Sequence, residues 1–249
     1  MSDLTPLYEG KAKIIYPTET SDILLSYFKD DATAFNAQKK GQIIGKGAMN
    51  CAISSHLFKK LEASGVSTHF IDRPSPNEMR VRAVSIIPLE VVVRNIAAGS
   101  LCQQTRLELG TPLKFPLVDF YYKDDALGDP LMTPDRILVL EVATAEQIDR
   151  LRQMALKVNQ VLIEFFQNCG ITLVDFKLEF GLDADGRLLL ADEISPDTCR
   201  LWDRTATDPN RRVLDKDRFR QDLGNVEQAY GPGDGTSTGT GRSSKGDPS

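Results

Sequence analysis

Residues 170–181 read GITLVDFKLEFG, and from Val174 to Phe180 large apolar residues alternate with Asp175, Lys177 and Glu179. A period of two is the signature of a strand with two unlike faces. Val174, Phe176, Leu178 and Phe180 need helices to cover them, so this strand commits the chain to a sheet with a buried side. The other side gathers charge. The next residues, LDADGRLLLADEIS, return as a hairpin partner, and Asp185-Gly186 is a two-residue turn signal. That turn sets Glu179 opposite Asp192; a four-residue loop sets Lys177 opposite Asp192. Either way Asp192 shares the face of Asp175, Lys177 and Glu179, because directly paired residues lie on one side. Only an odd-length loop would bring Glu193 there instead. At least three carboxylates then surround one lysine and call for further positive charge. A solvated face with cross-strand salt bridges is the plain alternative. The acid excess, and the SPDTCR loop that follows directly, favour a site in which Glu179 and Asp192 hold a divalent cation.

The remaining patterns outline the domain. KIIYPT, DILLSYF and STHFID read as short strands separated by turn formers. A helix is expected from about Ala48 to Ser64, with Met49, Ala52, Ile53, Leu57 and Leu61 as its stripe and Gly65 as its stop. EMRVRAVSIIPLEVVVRN reads as two strands joined through Ile87-Pro88. A helix over 101–109 would follow, with Ser100 as N-cap and Gly110 as stop. Residues 111–137, dense in proline and aspartate, read as a long functional connection. The strongest helix spans 144–170: Thr144 and Gln147 form a capping box, Gly170 ends it, and Ile148, Leu151, Ala155, Val158, Leu162 and Phe165 make a core stripe. A short helix is expected in DKDRFRQDLGNVEQAY. From Gly231 onward glycine, serine and threonine dominate without hydrophobes, as in a disordered tail.

Totals exclude several classes. The 249 residues carry a net charge of -5, which argues against a polymer nucleic acid partner. No apolar run approaches the roughly 20 residues that cross a bilayer, and the N-terminus has no apolar signal core, so no membrane role and a cytoplasmic location are expected. The four cysteines are scattered without a CxxC pair, which argues against disulfides or zinc. His56 and His69 are not spaced as ligands and read as ordinary helix and strand residues. Any metal should be a hard, oxygen-bound cation such as magnesium.

Three segments suit anions. In YEGKAKIIY, Gly10 permits close approach, and Lys11 and Lys13 project together, although an exposed lysine pair is the plainer reading. In LEVVVRNIAAGSLCQQ, a strand delivers Arg94 toward Ser100 at a helix start, a phosphate seat or a simple serine cap. Arg200 lies just beyond the carboxylate strand, as a third seat or a surface ion pair. Together they describe a magnesium-nucleotide enzyme with a second anionic substrate.

At these residues the chain resembles the SAICAR synthetase (phosphoribosylaminoimidazole-succinocarboxamide synthase) family of purine biosynthesis. YEGKAK, IIPLEVVVRNIAAGS, PLVDFYYKDDALGDP, LVDFKLEFG, DEISPDTCRLWD and LDKDRFRQDLG carry the resemblance in order, over about the first 230 residues. It implies a two-domain α+β fold with antiparallel sheets and helices, and a nucleotide cleft related to ATP-grasp and protein-kinase architectures. The expected division is a smaller nucleotide domain over 1–83, a larger ribotide and metal domain over 84–230, and the tail over 231–249. It implies ATP-dependent joining of carboxyaminoimidazole ribotide to L-aspartate through an acyl phosphate, Mg2+ dependence, and a homo-oligomer, usually a dimer. Carried over by motif, Lys11, Ala12 and Lys13 would contact ATP, with the RVRAV hinge and its Arg82 passing the adenine and Lys123 near the nucleotide. Arg94, Ser100 and Arg200 would bind the ribotide phosphate, Asp175 and Lys177 would line the reaction centre, and Glu179 and Asp192 would hold magnesium. FNAQKKGQIIGKG, with Lys39 and Lys40, would close over the site and take the aspartate carboxylates. The chain departs from the family pattern at Ala37-Gln38 and in a C-terminal helix cut short near Tyr230. A small-molecule kinase and a non-catalytic nucleotide module are the competing readings; aspartate dependence separates the first, and the retained lysines and carboxylates weigh against the second.

Overall fold

The structure is a computed structural model that describes residues 5–34 and 39–220. Along the chain, β1 (Tyr8–Glu9), β2 (Lys13–Pro17) and β3 (Ile23–Phe28) begin a first sheet. β4 (Asp31–Ala34) and β5 (Lys39–Gln42) pair with each other, and α1 (Lys46–Ala63) follows. β6 (Phe70–Ser75) and β7 (Glu78–Arg82) complete the first sheet in the order β1-β2-β3-β7-β6. β8 (Ser85–Ile96), α2 (Ser100–Gln104), β9 (Pro112–Tyr122), β10 (Leu131–Met132), α3 (Pro134–Val139), α4 (Ala145–Asn168), β11 (Ile171–Leu182), β12 (Leu188–Ala191), β13 (Cys199–Asp203) and α5 (Asp217–Arg220) follow. The second sheet runs β10-β9-β8-β11-β12, with β13 also on β11, and every pairing among these strands is antiparallel. The fold is therefore mixed α and β with antiparallel sheets, as expected. The expected tail over 231–249, the end of the last helix and the Ala37-Gln38 departure lie outside the described residues.

β11 is the spine of the larger sheet. Val174, Phe176, Leu178 and Phe180 are all buried, and α4 packs on β11 with Leu151, Ala155, Val158 and Leu162 fully buried. Each such leucine, valine or phenylalanine contributes about 1.5–3 kcal/mol by leaving water. The capping box of Thr144 and Gln147 is present, and Gly170 follows α4 at φ 72°. Phe166 rather than Phe165 is the buried aromatic of the last turn; Phe165 turns toward His56, with ring centroids 5.5 Å apart.

Several expectations are corrected. The turn after β11 is a five-residue loop, since Leu182 pairs with Leu188 and Glu179 with Ala191. The Asp183 carboxylate explains the extra residues: it accepts from the Asp185 and Arg187 amides at 3.0 and 2.9 Å, capping a wider turn. The two strands of 78–96 break at Ala83-Val84, not at Ile87-Pro88. Pro88 sits within β8, where the register with β11 slips between Glu90 and Ile86, a place that asks no ladder N–H of it. Residues 111–137 are not one long loop: they form β9, β10 and most of α3, and only 123–130 remain a connection. Their prolines misled because Pro112 and Pro116 fall where the β8–β9 register shifts. α1 buries Cys51, Leu57, Phe58 and Leu61, so Met49, Ala52 and Ile53 are only partly covered. α2 is five residues long, and Ser100 is not its cap.

Candidate active site

Because paired residues share a face, the polar side of the larger sheet can be read strand by strand. Asp175 pairs with Arg94 and Glu179 with Glu90 across β11 and β8, and Glu90 pairs with Tyr121 across β8 and β9. Arg200 on β13 pairs with Asp175 from the other side. This face, together with Lys11–Lys13 and Arg82 from the first sheet, lines one cleft of about 1740 Å³. Lys11, Ala12, Lys13, Arg82, Arg94, Ser100, Lys123, Asp175, Lys177, Glu179, Asp192 and Arg200 all lie on its wall.

At one end an alternating charge chain has formed. Lys177 Nζ meets Glu179 Oε1 at 2.5 Å, Asp192 Oδ2 at 3.2 Å and Glu90 Oε1 at 3.3 Å. Lys123 holds the other Glu179 oxygen, and Lys13 holds Asp192 Oδ1 and reaches Glu193 Oε1 at 3.4 Å. Glu179 and Asp192 thus face a common cation, although the odd loop puts them out of register. The backbone resolves this: Asp192 follows the last residue of β12 at φ 60°, which turns both Asp192 and Glu193 toward Lys13. Four carboxylates (Glu90, Glu179, Asp192 and Glu193) share three lysines, so the cluster keeps an appetite for positive charge. Burial opposes the charge on Lys13 and Lys177, but the facing carboxylates outweigh it and raise both lysines. Burial likewise opposes the charge on Asp192, and Lys13 and Lys177 override it, so its carboxyl lies far below the usual range. Lys13, Lys177 and Asp192 therefore stay ionised across neutral pH.

At the other end lies an anion seat. Arg94, buried, donates to Asp119 Oδ2 (2.9 Å), Asp175 Oδ2 (3.2 Å), Ser100 Oγ (2.9 Å) and the Tyr121 hydroxyl (2.9 Å). Arg200 donates to both Asp175 oxygens at 3.1 and 2.8 Å, and its Nε to Asp217 Oδ2 at 2.7 Å. The Ser100 hydroxyl is thus committed to the arginine rather than to a helix cap. Gly99 makes room for Arg200: its φ is 53° with ψ -131°, and a Cβ there would lie 2.6 Å from Arg200 Nη2. Gly99→Ala therefore strains the backbone and displaces the guanidinium. We expect it to lower kcat/KM for the anionic substrate on the order of 10²-fold, with nucleotide affinity little changed, as substrate titrations would read.

Arg82, also on the wall, has its Nη1 tied to the Thr68 and Phe70 carbonyls at 3.1 and 3.2 Å. Lys11 stands at the mouth, paired with Asp125 at 3.2 Å. Sequence reasoning passed over Glu90, Lys46, Asp197 and His69. Lys46 is fully buried and pairs with Asp197 at 2.5 Å, joining the start of α1 to the SPDTCR loop. His69 lines the cleft, and burial, with Lys13 nearby, pushes its pKa down to about 3. An unfolded histidine protonates near 6.5, so below that value the unfolded chain binds a proton the folded one refuses. Unfolding free energy should fall as pH drops from 6.5 toward 3, by at most about 1.4 kcal/mol per unit, and His69→Phe should flatten that slope in denaturant titrations.

The geometry invites comparison with known proteins. The SAICAR synthetase sequence profile matches residues 6–234. The chain belongs to the SAICAR synthetase family. It is 72% identical over 224 residues to phosphoribosylaminoimidazole-succinocarboxamide synthase of Acaryochloris marina, covering 90% of this chain and 91% of that one. With the enzyme of that name from Nostoc sp. it shares 70% over 230 residues, covering 92% and 94%. Among solved structures, the synthase from Ehrlichia chaffeensis superposes with a TM-score of 0.87 at 47% identity, covering 91% and 95% of the two chains. A SAICAR synthetase solved in complex with ADP gives 0.85 at 47%, covering 90% and 93%. SAICAR synthetases are ATP-dependent carbon–nitrogen ligases of purine biosynthesis that join carboxyaminoimidazole ribotide to L-aspartate.

Proposed function

We propose that the cleft carries out this ligation with its two ends divided between the two phosphorylated substrates. ATP lies with its phosphates toward Lys11, Ala12, Lys13 and Lys123 and its base past the strand end at Arg82; the ribotide phosphate lies in the seat of Arg94, Ser100 and Arg200. The observation that carries this reading is the Asp175 carboxylate, gripped by both seat arginines, two residues along β11 from Lys177 of the charge cluster. A ribotide anchored at the seat therefore extends its carboxylate toward Lys177 and the nucleotide end. The two sheets correspond to a nucleotide domain over 1–83 and a ribotide domain over 84–230.

The chemistry follows from charge. A carboxylate is a poor acyl donor because an oxide-like group would have to leave. Transfer of the γ-phosphoryl group to the ribotide carboxylate gives an acyl phosphate and ADP. The aspartate amine then attacks the acyl carbon, phosphate departs, and the amine proton leaves with it. Lys13, Lys123 and Lys177 stabilise the charge that accumulates on the phosphoryl oxygens. Asp175 fixes the two arginines, and with Lys177 lines the reacting carboxylate.

No group of three His, Cys, Asp or Glu side chains among the described residues is placed to hold a metal. The pair Glu179 and Asp192 nevertheless fits Mg2+, which takes one or two carboxylates and completes its shell with phosphates and water. Bound there, it would neutralise phosphate charge and orient the nucleotide. Lys39 and Lys40 of the segment expected to close over the site, taken here as aspartate ligands, lie where side chains are outside the described residues. A cytoplasmic homodimer completes the reading, on the family resemblance. No helix among the described residues is long and apolar enough to cross a membrane.

The test is ADP release from protein, Mg-ATP, ribotide and aspartate with each component omitted in turn. The ligase reading predicts that omitting aspartate or ribotide removes steady-state ADP formation. ADP formation indifferent to aspartate would instead make this a kinase.

A further inference from the structure

Leu173 and Val174 are neighbours on β11 and both are buried, although a regular strand turns adjacent side chains to opposite faces. A bulge is the reason. β11 pairs with β13 as Ile171–Asp203, Thr172–Trp202 and Leu173–Leu201, and then as Asp175–Arg200 and Phe176–Cys199, so Val174 is an extra residue. One extra residue changes the phase of the strand. Continued without it, the first register would set Val174 opposite Arg200 and Asp175 opposite Cys199, on the side of Leu173 and the core. With it, Asp175 shares the cleft face with Arg200 on one side and with Arg94 on the other. The anion seat therefore depends on the bulge at Val174.

The bulge is held from the opposite face of the sheet. The β8–β11 pairing stops at Arg94–Asp175. Just past it, Asn95 Nδ2 donates to the Leu173 carbonyl at 3.3 Å and to Asn159 Oδ1 at 2.9 Å. Asn159 Nδ2 donates back to Asn95 Oδ1 at 2.9 Å. Asn159 belongs to α4 and is 2% exposed, among Ala155, Val158 and Leu162 of the apolar stripe. An amide buried there is unfavourable unless its bonds are made, and an apolar residue would extend the stripe without that demand. Asn95 also lies where β8 slips against β9, between the pairs Arg94–Leu117 and Ile96–Pro112. The amide pair thus stitches α4 to the strands of Arg94 and Asp175 at the point where both ladders are irregular. We propose that Asn159 is a positioning residue: through Asn95 it pins the Leu173 carbonyl, and with it the bulge that sets Asp175 between Arg94 and Arg200. Asn159 touches no substrate in this scheme. The functional half rests on the ribotide phosphate occupying that seat, whereas the structural half does not.

The experiment compares three variants. Asn159→Leu removes the pair and strands the Asn95 amide. Asn159→Leu combined with Asn95→Leu removes both amides. Val158→Ala weakens the same helix and leaves the pair intact. Amide hydrogen exchange of the free protein reads the bulge. We expect Val174 and Asp175 to exchange about 10-fold faster in Asn159→Leu, the effect of losing roughly one hydrogen bond, with Leu178 and Phe180 unchanged. In steady state, KM for the ribotide should rise about 10- to 100-fold with KM for the nucleotide within about twofold, because the seat shifts and the charge cluster does not. The double variant should melt above Asn159→Leu, since neither side-chain amide is left stranded, and yet keep the raised ribotide KM. Val158→Ala should melt early with an unchanged ribotide KM. Unchanged exchange at Val174 and Asp175 in both pair variants overturns the structural half. A ribotide KM that follows melting temperature across the three variants overturns the positioning role, and the double variant set against Val158→Ala shows this even if Asn159→Leu fails to fold. Arg200→Met separates the remaining cases. If it leaves the ribotide KM unchanged, the seat assignment falls and the functional half with it; if it raises that KM while the pair variants do not, Asn159 alone is refuted.

Discussion

Asp192→Asn should lower kcat by about 10²- to 10³-fold, the loss typical when a preorganised charge at a developing phosphoryl transition state is removed. The asparagine keeps the size of the side chain but not its charge. Lys13 and Lys177 then keep Glu193, Glu179 and Glu90 as partners, so the fold should survive. Nucleotide KM should rise with the fall in kcat, while KM for the ribotide, held at the far end of the cleft, should stay near its wild-type value. The check is steady-state kinetics with each substrate varied, alongside a thermal melt. Equal loss for both substrates would mean that Asp192 supports the fold rather than the phosphates.

Arg94→Met should produce the largest loss of stability. Its guanidinium is almost fully buried among Asp119, Asp175, Ser100 and Tyr121. Methionine fills much of the space but abandons two carboxylates. Breaking such a buried pair costs about 3–5 kcal/mol, because the partner charge stays behind. Asp175 retains Arg200, which softens its share, whereas Asp119 loses the arginine bond at 2.9 Å. Denaturant titration at neutral pH measures the effect. Ribotide binding should be lost even at temperatures where the variant remains folded.

How much of this was legible in the sequence depends on the range of the interaction. The alternation of β11 and the capped stripe of α4 are local signals, and both elements formed, with Phe166 taking the place read for Phe165. The hairpin register was not legible, because the side chain of Asp183 widens the turn beyond what Asp185-Gly186 alone would make. β9 was hidden for a related reason: its prolines signal a loop, and only the sheet reveals that they fall at a register shift. The charge cluster lies beyond any spacing rule, since Lys13 and Asp192 are 179 positions apart. Family motifs named Lys13, Lys123, Lys177, Glu179 and Asp192 among its members, and folding brought all twelve candidates to one wall. Glu90, Glu193 and His69 carried no such flag. Glu193 was visible only as the consequence of an odd loop, and His69 only once Leu190 was seen to zip onto its neighbours.

The division of the cleft is tested most directly by a crystal structure of the protein with Mg2+, a non-hydrolysable ATP analogue and the ribotide together. The account predicts nucleotide phosphates against Lys13, Glu179 and Asp192, with the metal between the two carboxylates. It places the ribotide phosphate on Arg94, Ser100 and Arg200, and the ribotide carboxylate facing Lys177. A nucleotide phosphate seated on Arg94 and Arg200, or a ribotide carboxylate turned away from Lys177, would contradict it.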